Sequence, residues 1–290
     1  GNLRLGVLLS WRWQLLNAAE KLLALGVIDV QSTVDERGVM IDQVGIDELS
    51  YPIAVECLDG TTQQTVADVS MTVELASERR GVHMSRFVEV LDSFATGIGP
   101  RSFLAMAAET RSRLDSDYAR VALTFPYFLR RQAPASGMES MTRYGCHLIG
   151  ESRLGSASCE VGVRVPVTSL CPCSKEISDY GAHNQRGYID ITVTGLSDAA
   201  DSDLWFEDLI DFAEAASSSP IFPLLKRSDE REVTMRAYDN PAFVEDIVRD
   251  VVVAMREDAR VGSARVRVSN QESIHDHNAI AQLSWERPVD

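Results

Sequence analysis

From residue 51 onward the apolar positions switch between a repeat of two and a repeat of about 3.6, and they do so twice in the same order. The stretch "YPIAVECLDGTTQQTVADVSMTVEL" (51–75) predicts two strands around an Asp59-Gly60 turn. In the second strand Val69, Met71, Val73 and Leu75 share one face, while Asp68, Ser70, Thr72 and Glu74 share the other. Phe87, Val90, Leu91 and Phe94 then recur at helical spacing, with Ser85 the expected N-cap. A second helix over about 102–115 follows the Gly99-Pro100 break, and strands are expected at about 118–129 and 138–150.

The second half repeats that order. Val161, Val163, Val165 and Val167 alternate with other residues, and Ile189, Ile191 and Val193 alternate with Asp190, Thr192 and Thr194. A helix is expected at about 203–216. Another is expected after Asn240-Pro241, read as a cap and a first-turn proline, with Val244, Ile247, Val248, Val251 and Met255 on one stripe. Strands at about 263–269 and 279–285 complete the pattern. Both halves read ββααββ without detectable identity between them. Hairpins, then helices, then hairpins predict an α+β fold with antiparallel sheets and helices on one face. One segment breaks the symmetry: residues 168–185 interrupt the first hairpin of the second half, far beyond the usual 2–5 residues. Long loops on rigid hairpins are where function is commonly carried.

Composition narrows the function classes. A chain of 290 residues suits two modules, and 45% hydrophobic residues supply ample core. The net charge of −15 argues against nucleic acid as a partner, while leaving room for one small anion in a locally basic pocket. Only Lys21, Lys175 and Lys226 among the 28 cationic side chains are lysines, so lysines inside motifs gain weight. Five cysteines (Cys57, Cys146, Cys159, Cys171, Cys173) form an odd, low count that suits a reducing compartment. No run approaches the ~20 apolar residues of a membrane span. The opening "GNLRLGVLLSWRW" has too short an apolar core, and no small-residue cleavage site, for a signal peptide. The expectation is a cytoplasmic protein with no membrane partner.

The candidate chemistry lies in four stretches. "SLCPCSKEISDYGAHNQRG" (169–187) offers Cys171, Cys173 and His183, and thiolate and imidazole are good ligands for a borderline metal. Structural zinc sites show two paired motifs, whereas this loop has one CxC and one His. An open site built from one Cys, one His and a distant carboxylate is therefore better supported; a redox pair and ordinary loop cysteines remain alternatives. "NQESIHDHNA" sets Glu272 ahead of His275 and His277, which point the same way in extended chain and give acid–base capacity near neutral pH. "LLKRSDE" places Lys226 and Arg227 beside Asp229 and Glu230, cations suited to phosphate and acids suited to a metal. "HMSRF" puts Arg86 at a helix start, where backbone amides also favour an anion. The last three stretches also read as solvated polar turns, and the helix dipole is reason enough for an acid at Glu245.

"PVTSLCPCSKEISDYGAHNQRG", "LLKRSDE…NPAFVED" and "ESIHDHNA", with "VDERGVMIDQVGI" and "GVHMSRF", resemble the prokaryotic GTP cyclohydrolase type IB family, from about Asp29 to Trp285 with the motifs in order. The resemblance leaves residues 1–28 as an N-terminal extension. It implies a tunnelling fold with two ββααββ modules, 29–152 and 153–290, the second carrying the metal loop. It further implies a barrel completed by oligomerisation, commonly a homotetramer. The implied reaction converts GTP and water to 7,8-dihydroneopterin triphosphate and formate, the entry to folate-type pterins, with one divalent metal (Zn, Mn or Fe) per site. Carried over one at a time, Cys171, His183 and Glu230 match metal positions, and Glu245 matches the carboxylate that anchors the guanine edge. Cys171, Cys173, Glu272, His275 and His277 match positions near the reacting ring. Arg86, Lys175, Lys226 and Arg227 are the candidates for the triphosphate. Gln271 and Met235 depart from the family pattern, where an aromatic and a Glu are expected. Two rivals follow from the same residues: a tunnelling-fold enzyme using Cys171 or Cys173 as a nucleophile on a purine-like ring, and a non-catalytic metal- or nucleotide-binding protein.

Overall fold

The computed structural model describes residues 29–194 and 204–288; the extension expected over 1–28 and position 203 of an expected helix lie outside them. The first half runs β1 (Ile41–Glu56), β2 (Thr62–Leu75), α1 (Met84–Phe94), α2 (Pro100–Arg113), β3 (Tyr118–Gln132) and β4 (Glu139–Arg153). The second half runs β5 (Ser156–Leu170), α3 (Pro172–Ile177), β6 (Asn184–Thr194), α4 (Phe206–Ala216) and β7 (Ser219–Pro220). It continues through α5 (Arg227–Asp239), α6 (Val244–Glu257), β8 (Ser263–Asn270) and β9 (Ala279–Glu286). The strands form one antiparallel sheet in the order β1-β2-β3-β4-β5-β6-β8-β9, with the short β7 pairing β5. The pairing of β4 with β5 makes the sheet continuous across the two halves.

Period-two alternation explains the layering. Val69, Met71 and Val73 of β2, Val161, Val163 and Val165 of β5, and Val266 and Val268 of β8 are all buried on one face. The helices cover that face with Phe87, Val90 and Leu91 (α1), Phe103 and Met106 (α2), Leu209 and Ile210 (α4), and Ile247, Val251 and Met255 (α6). Phe125 and Phe206 meet edge to face at 5.6 Å where α4 starts. The uncovered face carries charged cross-strand pairs such as Arg164–Asp190 at 3.1 Å.

Several local expectations are corrected. Strand β1 starts at Ile41 rather than 51, because register shifts after Ile41 and Ile46, with Glu48 at φ 54, break the alternation that would have announced it. His83, not Ser85, is the N-cap of α1; its ring pairs with Asp29 at 3.2 Å instead of capping the helix. Asn240 and Pro241 do not open α6: Asn240 closes the unexpected helix α5, both its nitrogens bonding the Arg236 carbonyl, and α6 starts at Val244 behind Phe243. The long interruption of the β5–β6 hairpin shrinks to 171–183, since both strands extend further and α3 occupies part of it.

Candidate functional site

The hairpin loop is closed at its base by its own functional residues. Leu170 pairs with Asn184, and one step further the Cys171 N–H donates to the His183 carbonyl at 3.2 Å. Pro172 starts α3 and makes Cys171 its N-cap, so the Cys171 sulfur accepts the Ser174 N–H at 3.4 Å. Ser174 then ties the two ends together: its hydroxyl donates to the Cys171 carbonyl (3.1 Å) and accepts the His183 N–H (3.2 Å). The His183 ring is fixed through Nδ1, which meets Gln185 Oε1 at 2.9 Å and Ser273 Oγ at 3.1 Å. Bonds at Nδ1 orient the imidazole and leave Nε2 as the nitrogen available to a ligand. Cys173 is exposed on α3 with a free thiol.

Three distant stretches meet at this end of the sheet. A cavity of about 180 Å³ is lined by Cys171, Gln185, Phe243, Glu245, Asn270 and Glu272, among others. Glu245 is the second residue of α6. The capping bond to the Phe243 N–H comes from Asp246 (3.2 Å), so capping does not account for the Glu245 carboxylate. Glu272 follows β8 in the loop whose Ser273 holds His183, and in that loop the exposed His275 and His277 rings stack 5.1 Å apart. Of the residues expected from the sequence, Cys171, Glu245 and Glu272 line this cavity, while His183, His275 and His277 lie on the adjoining loops and are not part of its lining.

Other predicted residues lie elsewhere. Glu230 is exposed on α5, and no three metal-binding side chains converge among the described residues. Its neighbour Asp229 is fully buried, accepting the N–H groups of Ala135 (2.9 Å), Ser136 (2.7 Å) and Lys226 (2.7 Å) and the Ser136 hydroxyl (2.7 Å). Burial pushes its carboxyl pKa up, but those bonds outweigh it and hold the group well below the usual range. Asp229 is therefore a clamp between α5 and the β3–β4 turn. Lys175 reaches the same helix, donating to the Tyr238 carbonyl at 2.6 Å with its ammonium 4.3 Å from that ring. Arg86 donates to the Arg113 carbonyl at the end of α2, and Lys226 and Arg227 are exposed at the start of α5. None of the four predicted phosphate-binding cations lines the cavity. A larger cleft of about 700 Å³ is lined by Asp211, Glu214, Asp239 and Asp250 with Arg236, an acidic wall unsuited to a triphosphate.

Sequence reading missed Ser174, Gln185, Ser273 and Asn270. Ser174 alone had a local signal, a serine three residues after a capping position before proline; the others are recognisable only through tertiary pairing.

Residues 27–281 match the family described as "Type I GTP cyclohydrolase folE2". The chain is 46% identical over 259 residues to the GTP cyclohydrolase FolE2 of Nitrosococcus oceani, covering 89% of this chain and 95% of that protein. It is also 46% identical over 253 residues to that of Pseudothermotoga lettingae, covering 87% and 96%. Among solved structures, uricase from Arthrobacter globiformis superposes with a TM-score of 0.53 at 10% identity, covering 85% of this chain and 93% of that one. That likeness concerns the fold alone, and it agrees with the expected tunnelling architecture.

Proposed function

The chain belongs to the type I GTP cyclohydrolase FolE2 family, and on that premise we propose that it converts GTP and water to 7,8-dihydroneopterin triphosphate and formate. The observation that carries this reading to particular residues is the convergence of Cys171, Glu245 and Glu272 on one cavity. Glu245, with no competing capping bond, suits the N1–H and 2-amino hydrogens of guanine as a two-oxygen acceptor. Glu272, at the cavity wall, and the stacked His275 and His277 next to it can exchange protons with the ring nitrogens as C8 departs as formate and the ring recloses on ribose carbons. Several proton transfers in one site call for groups with different pKa values, and a carboxylate with two imidazoles supplies them.

The donor set fits a divalent metal. Cys171 and the Nε2 of His183 lie on the two ends of one loop and Nδ1 of His183 is already held, so these two would hold the ion, while Glu230, the third ligand the resemblance implies, is not gathered with them within one chain. Mixed S, N and O ligands accept Zn²⁺, Mn²⁺ or Fe²⁺. When bound, such an ion supplies a water of lowered pKa for attack on C8. Cys173, which the family resemblance sets near the ring, is exposed on α3 and does not line the cavity.

We further read 29–152 and 153–290 as two modules, and the protein as a cytoplasmic homo-oligomer, commonly a tetramer in the tunnelling fold. Supporting this, β1 and β9 are the sheet's two ends, with Ile41 and Ile280 exposed on them. The cavity has no cation in its own lining, so cations for a triphosphate have to come from outside it, which an oligomer would allow. No helix among the described residues is long and apolar enough to cross a membrane. The test is direct: protein loaded with Zn²⁺, Mn²⁺ or Fe²⁺ is incubated with GTP, and formate and an oxidisable, fluorescent pterin are measured. Absence of both with all three metals overturns the proposal.

A further inference from the structure

Asn270 is only 3% exposed, lies at the end of β8 and lines the cavity, yet its Oδ1 meets no donor among the described residues. The orientation of its amide is dictated by its neighbours. Ser169, fully buried, gives its single hydroxyl proton to the Ala242 carbonyl at 3.3 Å. The Ser169 oxygen can then only accept, and it accepts from Asn270 Nδ2 at 2.8 Å. The nitrogen of the amide therefore faces Ser169 and the oxygen is left over. The side chain arches across Gly187, its cross-strand partner, where a β-carbon would come within 2.7 Å of Oδ1. Glycine at 187 is what permits this arrangement. A buried acceptor without a partner is costly to maintain, and native proteins keep few of them.

The rest of the wall shows what kind of group it would meet. Glu245 and Glu272 contribute carboxylates, and Gln185 Oε1 is already engaged with His183. The lining is rich in acceptors, so it suits the donor-rich edge of a ligand. At about 180 Å³ the cavity is below the usual ~300–1,000 Å³ of whole-ligand pockets, so it fits one edge of a base rather than a nucleotide triphosphate. Guanine presents three such hydrogens on one edge, one on N1 and two on the 2-amino group. A carboxylate can take two of them, which leaves one amino hydrogen.

We infer that Asn270 is a specificity-determining residue whose Oδ1 accepts the remaining 2-amino hydrogen of the bound guanine, so that the site selects guanine over hypoxanthine. This rests on the cyclohydrolase reading of the same cavity. Ser169 acts through Asn270 as a positioning residue, because it fixes which end of the amide faces the ligand.

Calorimetric binding of GTP and of ITP, which lacks only the 2-amino group, tests the inference. The Asn270→Ala variant is expected to bind GTP about ten-fold more weakly while ITP binding changes less than about two-fold. Asn270→Asp, which keeps an acceptor at the wall, should retain the preference for GTP. Equal loss for both nucleotides, or no loss for either, overturns it. If Asn270→Ala does not fold, Ser169→Ala is read in its place: a smaller GTP-to-ITP ratio supports the inference and an unchanged ratio overturns it. The parent reading fails separately. If the unmodified protein releases no formate from GTP, the reaction is wrong, and the two-nucleotide comparison still reports on Asn270.

Discussion

Two cysteines occupy the same position in the two halves of this chain and have different surroundings. Cys57 is the first residue after β1, and its N–H closes a five-residue turn by bonding the Thr61 carbonyl at 2.9 Å. Cys171 is the first residue after β5, and its N–H closes a thirteen-residue loop by bonding the His183 carbonyl at 3.2 Å. Around Cys57 the polar groups bond one another: Glu207 accepts the Tyr127 hydroxyl at 2.5 Å and the Leu58 N–H at 3.1 Å, and Asp59 accepts the Thr61 hydroxyl at 2.6 Å. Burial and those acidic and thiol neighbours push the Tyr127 hydroxyl pKa far up, so it remains a proton donor to Glu207. Around Cys171 the longer loop adds an imidazole at the mirror position, and the cavity wall holds the Glu245 carboxylate and the unpartnered Asn270 oxygen. Both frames leave one buried acceptor over, Glu207 Oε2 beside Cys57 and Asn270 Oδ1 beside Cys171, so what sets the longer loop apart is its imidazole and the Glu245 and Glu272 carboxylates at the same cavity.

That contrast predicts the largest effect. Cys171→Ala should remove metal retention and lower turnover of GTP by on the order of 10³-fold, since a bound metal contributes several kcal/mol to transition-state stabilisation. Cys57→Ala, at the equivalent position, should leave both within about two-fold, as expected of substitutions outside the reacting machinery. Metal content by elemental analysis and formate release by a coupled assay read the pair. Retention of full metal by Cys171→Ala would break the comparison.

The next effect falls on stability. Asp229→Ala should lower the melting temperature by several degrees, because it leaves buried N–H groups of Ala135, Ser136 and Lys226 without an acceptor. The pH dependence follows from the sign of its shift. The folded pKa is depressed, so the stabilisation is present above the ordinary aspartate range and is lost as pH falls towards the folded value. Urea melts between pH 7 and pH 3 should show a smaller acid dependence in Asp229→Ala than in the parent. An equal dependence would remove Asp229 from the account.

This clamp also marks the limit of what the sequence made legible. Helices α1 and α6 and most strands announce themselves, since Phe87, Val90 and Leu91, or Ile247, Val251 and Met255, recur at the period of their element. Helix α5 does not, because only Asp229 and Ala237 of its thirteen residues are buried and one of those is a carboxylate. Missing α5 shifted the assignment of Asn240 from the end of one helix to the start of another. The site residues stood out by residue type within motifs, but their meeting at one cavity depends on the sheet. Register sets Asn270 beside Gly187 and, across it, Val167, and no local pattern encodes that.

A moderate effect tests the support of His183. Gln185→Ala removes one of two partners of Nδ1 and should weaken metal binding by roughly 10–100-fold while leaving the fold intact, the usual cost of losing an outer-shell partner. Competition with a chelating dye would measure it. An unchanged affinity would mean that Ser273, at 3.1 Å from the same nitrogen, suffices alone.

The smallest effect returns to the short loop. Gly60 has φ +79 with open space around its α-carbon, so Gly60→Ala meets no clash and only the backbone conformation resists it. The expected cost is roughly 1 kcal/mol in denaturant melts. Turnover of GTP should not change, because the turn carries structure alone. Should this variant lower activity with its melt unaltered, the five-residue turn would share in the site, and the division between a structural and a functional hairpin end would have to be redrawn.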